Sequence, residues 1–244
     1  MTKNPVNDAR ALVAELFPQA HWALLTGSVI TAARTAGSDL DIVVLLPDDD
    51  PKAPHRDSRR FRGWPVELFV HDEPSLMHYL AKELGARKPS LHRMVGTGVA
   101  LVGDPGHWPD TCAKVLAGGP PPLTPAEREW GRYALTDLLD DMLHASDPGE
   151  RVVIADSAWQ AAGDHTLAFA GRWSGSGKWL LRELREYDPD MAARWLAAHS
   201  DPEAIAAYVR DLLDRNGGPL FEGYRVAGLR DGGSVGGVSN GERP

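Results

Sequence analysis

Leu24-Leu25-Thr26-Gly27-Ser28, a ten-residue spacer ending in Ser38, and then Asp39-Leu40-Asp41-Ile42-Val43-Val44 form the stretch on which the reading of this chain turns. The compact apolar run over residues 21–26 predicts a strand, Gly27-Ser28 a tight turn, and the Ala-rich segment 29–36 a helix. Residues 39–46, rich in β-branched side chains and ended by Pro47 and three aspartates, predict a buried strand. Residues i and i+2 of a strand face the same side, so Asp39 and Asp41 project together, about 6–7 Å apart along the chain. Two like charges at the mouth of an apolar strand are costly unless a cation neutralises them. Hard divalent ions with oxygen ligands, Mg²⁺ above all, suit such a pair. Gly27-Ser28, at a strand-to-helix junction, offers free N–H groups and the positive end of a helix dipole to an anion. A phosphate site and a metal site on adjacent strand ends are what nucleotidyl transfer requires.

Glu67 lies on a later predicted strand, Trp64-Pro65-Val66-Glu67-Leu68-Phe69-Val70, where it alternates with apolar neighbours as a third acid. Together these residues resemble the DNA polymerase β nucleotidyltransferase superfamily, whose motif is an apolar strand, Gly-Ser, about ten residues, then Asp-x-Asp. The match covers roughly residues 20–72 and includes a basic residue, Arg34, within the spacer. The resemblance implies an α+β fold, with a polymerase β-like catalytic domain (a mixed sheet with flanking helices) followed by an all-α helical bundle. It implies that Asp39, Asp41 and Glu67 bind metal, two Mg²⁺ ions in the family, with Glu67 alternatively the general base. It implies that Gly27, Ser28 and Arg34 contact the phosphates of ATP or another nucleoside triphosphate. The layout is similar to aminoglycoside and lincosamide nucleotidyltransferases, which implies transfer of AMP to a hydroxyl of a small molecule such as an aminoglycoside-like antibiotic. A protein or RNA acceptor, as in the antitoxin-type members, and a catalytically silent binding module are the alternatives.

The domain boundary is marked by Gly118-Gly119-Pro120-Pro121-Pro122, which cannot continue a helix or central strand. A catalytic domain over 1–118, a linker over 119–123, a helical acceptor-binding domain over 124–230 and a disordered tail over 231–244 are expected. Before the linker, residues 9–17 and 72–85 read as helices, 98–102 as a last strand, and the basic stretch 52–62 as a solvated loop. After it, Thr124-Pro125-Ala126-Glu127 is a capping box opening a helix to about residue 144. Further helices are expected over 150–170, 177–187, 189–199 and 202–216.

Weaker signals lie in the helical part. Gly175-Ser176-Gly177-Lys178 lacks the spacing of a phosphate-binding loop, because Trp179 follows where Ser or Thr belongs. Lys178 at a helix start is nonetheless a candidate for the nucleotide phosphates across the domain cleft, as in related enzymes. Arg194 and His199 have the spacing of a ribonuclease motif but align poorly on a helix. Asp137, Asp140 and Asp141 cluster in the second half of a helix, where the dipole disfavours anions, and are candidates for holding a cationic acceptor. The chain has 26 Lys+Arg against 34 Asp+Glu, a net charge of −8 that disfavours nucleic-acid partners. A single cysteine excludes an internal disulfide. Without an apolar run long enough for a membrane span, the reading is a cytoplasmic enzyme.

Overall fold

The computed structural model describes residues 4–227, so the expected tail over 231–244 lies outside them. Helix α1 (Pro5–Leu16) is capped by Asn4. Strands β1 (Trp22–Thr26), β2 (Leu40–Leu45), β3 (His55–Phe61), β4 (Trp64–His71) and β5 (Val99–Gly103) form one sheet in the order β3-β4-β2-β1-β5. Strands β2 and β4 run parallel and the other neighbours antiparallel, giving the mixed sheet of an α+β fold.

Strand alternation decides which way the candidate carboxylates face. Ile42, Val44, Val66, Leu68 and Val70 pack with Ala9, Leu12 and Val13 of α1 on one side of the sheet. Val43, Leu45 and Phe69 pack on the other side, against α2 (Glu73–Ala86), α3 (Ser90–Thr97) and α4 (Trp108–Gly118). Asp41 and Glu67, two residues before Val43 and Phe69, share that second face. They are also direct neighbours in the parallel register.

A separate core joins α5 (Pro125–His144), α6 (Pro148–Phe169), α7 (Lys178–Tyr187), α8 (Pro189–Ala197) and α9 (Pro202–Asp214) around Leu135, Met142, Leu167, Leu184, Trp195 and Val209. Four of these helices open on a side-chain N-cap followed by proline: Thr124 with Glu127, Asp147, Asp188 and Asp201.

The seam between the two parts centres on Arg87. Its carbonyl accepts a bond from Ser174 N at 2.9 Å. Its guanidinium donates to Glu127 at 2.9 Å and to the carbonyls of Pro121 and Pro122. The Arg87 bond, with those from Thr124, holds the Glu127 carboxyl down at about 2, and the bonds to the two carbonyls fasten the proline-rich connection in place. Trp173 Nε1 donates to the Leu116 carbonyl at 3.0 Å, and Lys88 pairs with Asp164 at 3.3 Å.

Two expectations are corrected. Residues 29–36 do not form a helix; a three-residue 3-10 turn, Ser28–Ile30, is followed by irregular chain. Hydroxyl groups explain the difference, because they bond to the backbone in place of helical partners. Thr31 Oγ1 donates to the Ser28 carbonyl and accepts from Ala33 N, while Ser38 Oγ accepts from Thr35 N. Residues 29–36 therefore bring no helix dipole to Gly27-Ser28. The stretch read as a solvated loop, 52–62, instead contains β3, an edge strand paired antiparallel to β4. Helices α3 and α4 are elements that the sequence reading leaves unassigned.

Candidate active site

Asp39, Asp41 and Glu67 bring carboxylate oxygens within 4.8 Å of one another, each side chain partly buried. Such a set fits a hard divalent cation, since its donors are all carboxylate oxygen and Arg56 and Lys178 offset its mutual repulsion only in part. Asp41 registers the strain most strongly. Burial, then the charges of Asp39 and Glu67, push its carboxyl up to about 6, against the opposing pull of Lys178 and Arg56.

Gly27 has a local reason to be glycine. Its φ is +82°, and a Cβ there would run into Asp41 Oδ2 and come within 3.1 Å of Asp41 Cγ. The backbone of the turn and the carboxylate are thus in direct apposition. Ser28 Oγ lies 2.9 Å from Ser38 Oγ, so the buried Ser38 ties the turn to the entry of β2. Glu67 accepts a 2.6 Å ion-pair bond from Arg56 Nη2, and the same guanidinium lies over the Phe69 ring at 4.7 Å.

A cavity of about 220 Å³ opens beside the turn, lined by Gly27, Ser28 and Asp41 on the sheet side. Its far wall carries Arg93 of α3 with Trp179 and Arg182 of α7. Both guanidinium groups lie over the Trp179 ring, at 4.9 and 4.8 Å. Arg93 also pairs with Glu183 at 2.6 Å, in surroundings where burial raises the Glu183 carboxyl while Arg93 lowers it. Lys178, the exposed first residue of α7, is near enough for its charge to bear on Asp41.

No protein-family model matches the chain, and no curated protein sequence matches it. Among solved structures it is similar to the nucleotidyltransferase-like protein from Exiguobacterium sibiricum 255-15. The two share 14% sequence identity with a TM-score of 0.47, over 87% of this chain and 75% of that one. At that score the functional reading rests on the site itself.

The remaining candidates fall elsewhere. Arg34 is exposed and lies over the Trp64 ring at 5.4 Å, in a shallow depression with Thr35 and Ala36 rather than in the cavity beside Asp41. Asp137, Asp140 and Asp141 do not line that cavity either. Asp140 and Asp141 are exposed, and His144 in the last turn donates to the Asp140 carbonyl at 2.8 Å, a local use of that helix end. Arg194 pairs with Asp211 on α9 at 3.1 Å, whereas the His199 ring meets the edge of Trp159, so the two make separate structural contacts. Sequence reasoning missed Arg56, Arg93, Trp179 and Arg182. For Arg56 a signal existed, since it stands on a strand that pairs residue for residue with β4. Arg93 and Arg182 are ordinary helix residues until the helices meet.

Among the described residues, no helix is long and apolar enough to cross a membrane.

Proposed function

We propose that the chain is a metal-dependent nucleotidyltransferase, moving a nucleoside monophosphate, AMP from ATP, onto a hydroxyl of a small molecule. The observation that carries this is the three-carboxylate cluster, whose Asp41 abuts Gly27 and lines a cavity walled by arginines. Asp39, Asp41 and Glu67 would hold Mg²⁺. When bound, the metal supplies charge neutralisation at the α-phosphate and at the departing pyrophosphate.

This chain's own residues account for the remainder. The Gly27 backbone admits close approach, and the Ser28 hydroxyl donates to a phosphate oxygen. Arg93, Arg182 and Lys178 supply positive charge from α3 and α7 on the opposite wall, where developing negative charge on the phosphates needs it. Where Glu67 serves as base in place of metal ligand, it takes the proton of the acceptor hydroxyl, once Arg56 releases it, as that oxygen bonds to the α-phosphorus and the bond to pyrophosphate breaks.

Pyrophosphate release, screened over the four nucleoside triphosphates against hydroxylated small molecules, tests the reading. Asp39→Asn and Asp41→Asn should fold normally and lose nearly all activity. Turnover at the wild-type rate in both would remove the metal assignment and the function with it.

A further inference from the structure

A second cavity, about 330 Å³ in volume, adjoins the first and shares Ser90 and Met94 with it. It runs along the same face of β4, lined by Arg56, Phe69, His71, Tyr79 and Leu91. Glu67, Phe69 and His71 occupy alternate positions of that strand and span about 13 Å. Arg56, on the cavity wall, is the residue that grips Glu67. The carboxylate cluster therefore meets the first cavity through Asp41 and the second through Arg56, the partner of Glu67.

His71 supplies the decisive observation. Its side chain is buried, with 7% of the residue exposed, and its Nδ1 has no hydrogen-bond partner in the protein. Buried polar side chains are almost always paired, so an imidazole that lines a cavity and makes no side-chain hydrogen bond to the protein marks a place where a ligand can supply one. Burial also holds the His71 ring below its ordinary pKa, keeping it neutral and free to accept or donate. The Tyr79 ring stands edge-on to it at 5.4 Å, and Phe69 continues the aromatic wall. Aromatic walls of this kind suit a flat ring.

The charges argue against a cation. Glu83, the carboxylate of this cavity among the described residues, has both oxygens engaged, accepting from Leu91 N at 2.7 Å and from His92 N and Nδ1 at 3.2 and 3.1 Å. His55 and the Arg56 guanidinium face a ligand instead.

We propose that this cavity is the acceptor subsite, and that it selects a small uncharged alcohol bearing a flat ring and a second polar group. The ring lies between Phe69 and Tyr79, the second polar group bonds the His71 imidazole where it lines the cavity, and the reacting hydroxyl reaches back toward Glu67. This rests on the nucleotidyltransferase reading above for its role as acceptor.

The test uses the full chain labelled with ¹⁵N-histidine, with His71 assigned by comparison with His71→Phe. The probe is 4-(2-hydroxyethyl)phenol, with spermidine as the polycation and ethylene glycol as the ringless alcohol. The phenol should move the His71 ring signals saturably, while spermidine and ethylene glycol leave them in place. His71→Phe keeps the ring volume and removes the orphaned nitrogen, and should weaken the probe at least about tenfold while Mg·ATP affinity by calorimetry is unchanged. Tyr79→Ala, at an exposed position, should weaken it similarly and guards against a folding defect. If Mg·ATP binds but no phenol shift occurs, or if spermidine moves His71 instead, the subsite is wrong and the proposed function stands. If ATP itself moves His71 and competes with the phenol, the cavity takes the nucleobase and the proposal falls. If the phenol binds at His71 but the protein binds no Mg·ATP, the acceptor role falls together with the function.

Discussion

Asp41 is confined from behind by the Gly27 backbone, and burial, then the charges of Asp39 and Glu67, push its carboxyl up to about 6. A group whose folded pKa lies above its unfolded value favours the fold when protonated. That contribution is complete below about pH 4 and is lost as pH rises through about 6, a loss of order 1–3 kcal/mol in the metal-free protein. Glu127 has the opposite sign: its folded pKa of about 2 gives stability that is present above its unfolded value and fades only as pH falls through 2. Metal binding should therefore expel a proton from Asp41. Calorimetric Mg²⁺ titrations in two buffers of different ionisation enthalpy should show about half a proton released at pH 6 and almost none at pH 8. Asp41→Asn should abolish the difference between buffers, and equal heats at pH 6 in the wild type would mean that Asp41 is not where the metal binds.

At the scale of elements, β3 carries the lesson. Its seven residues, His55–Phe61, are mostly exposed on both faces, as suits a charged edge strand that discourages pairing with other chains. It is held to β4 through Arg62-Gly63, whose φ values of 48° and 80° make a two-residue turn of the hairpin-forming kind. Gly63→Val should cost about 1–2 kcal/mol, because a branched side chain resists positive φ. Thermal unfolding should drop by about 2–8 °C, and an unchanged midpoint would show that the turn does not fix the pairing. Strand β2 was legible as a continuous apolar run buried on both faces, and β4 because one of its faces is apolar at alternate positions. Strand β3 was not, since a strand exposed on both sides has no apolar set to count; Arg62-Gly63 between Phe61 and Trp64 was the signal available. Residues 29–36 misled because their alanines favour a helix while Thr31, Thr35 and Ser38 divert the backbone into turns. The pairing of Asp39 with Asp41 followed from strand parity, whereas Glu67 joined them through the resemblance, because parity does not say which strands lie side by side. The arginines opposite them did not, because two helices from distant parts of the chain must meet before Arg93 and Arg182 share a cavity.

For the molecule as a whole, stability depends on how the sheet cores and the helical core are joined at Arg87. With its side chain only 14% exposed and its donors spread over Glu127 and two carbonyls, Arg87 cannot be removed without leaving those acceptors short of partners. Arg87→Ala should destabilise by about 2–4 kcal/mol and separate a single calorimetric transition into two, one for each part. A single transition with an unchanged midpoint would mean that the remaining contacts couple the parts by themselves. Trp179 sits on the same seam, on a helix whose core belongs to one part while its indole faces the turn of the other. Its emission is therefore a built-in optical gauge of the gap. Nucleotide phosphates drawing Arg93 and Arg182 off the ring should change the fluorescence in proportion to occupancy, a signal that Trp179→Phe would erase from among the eight tryptophans of the chain.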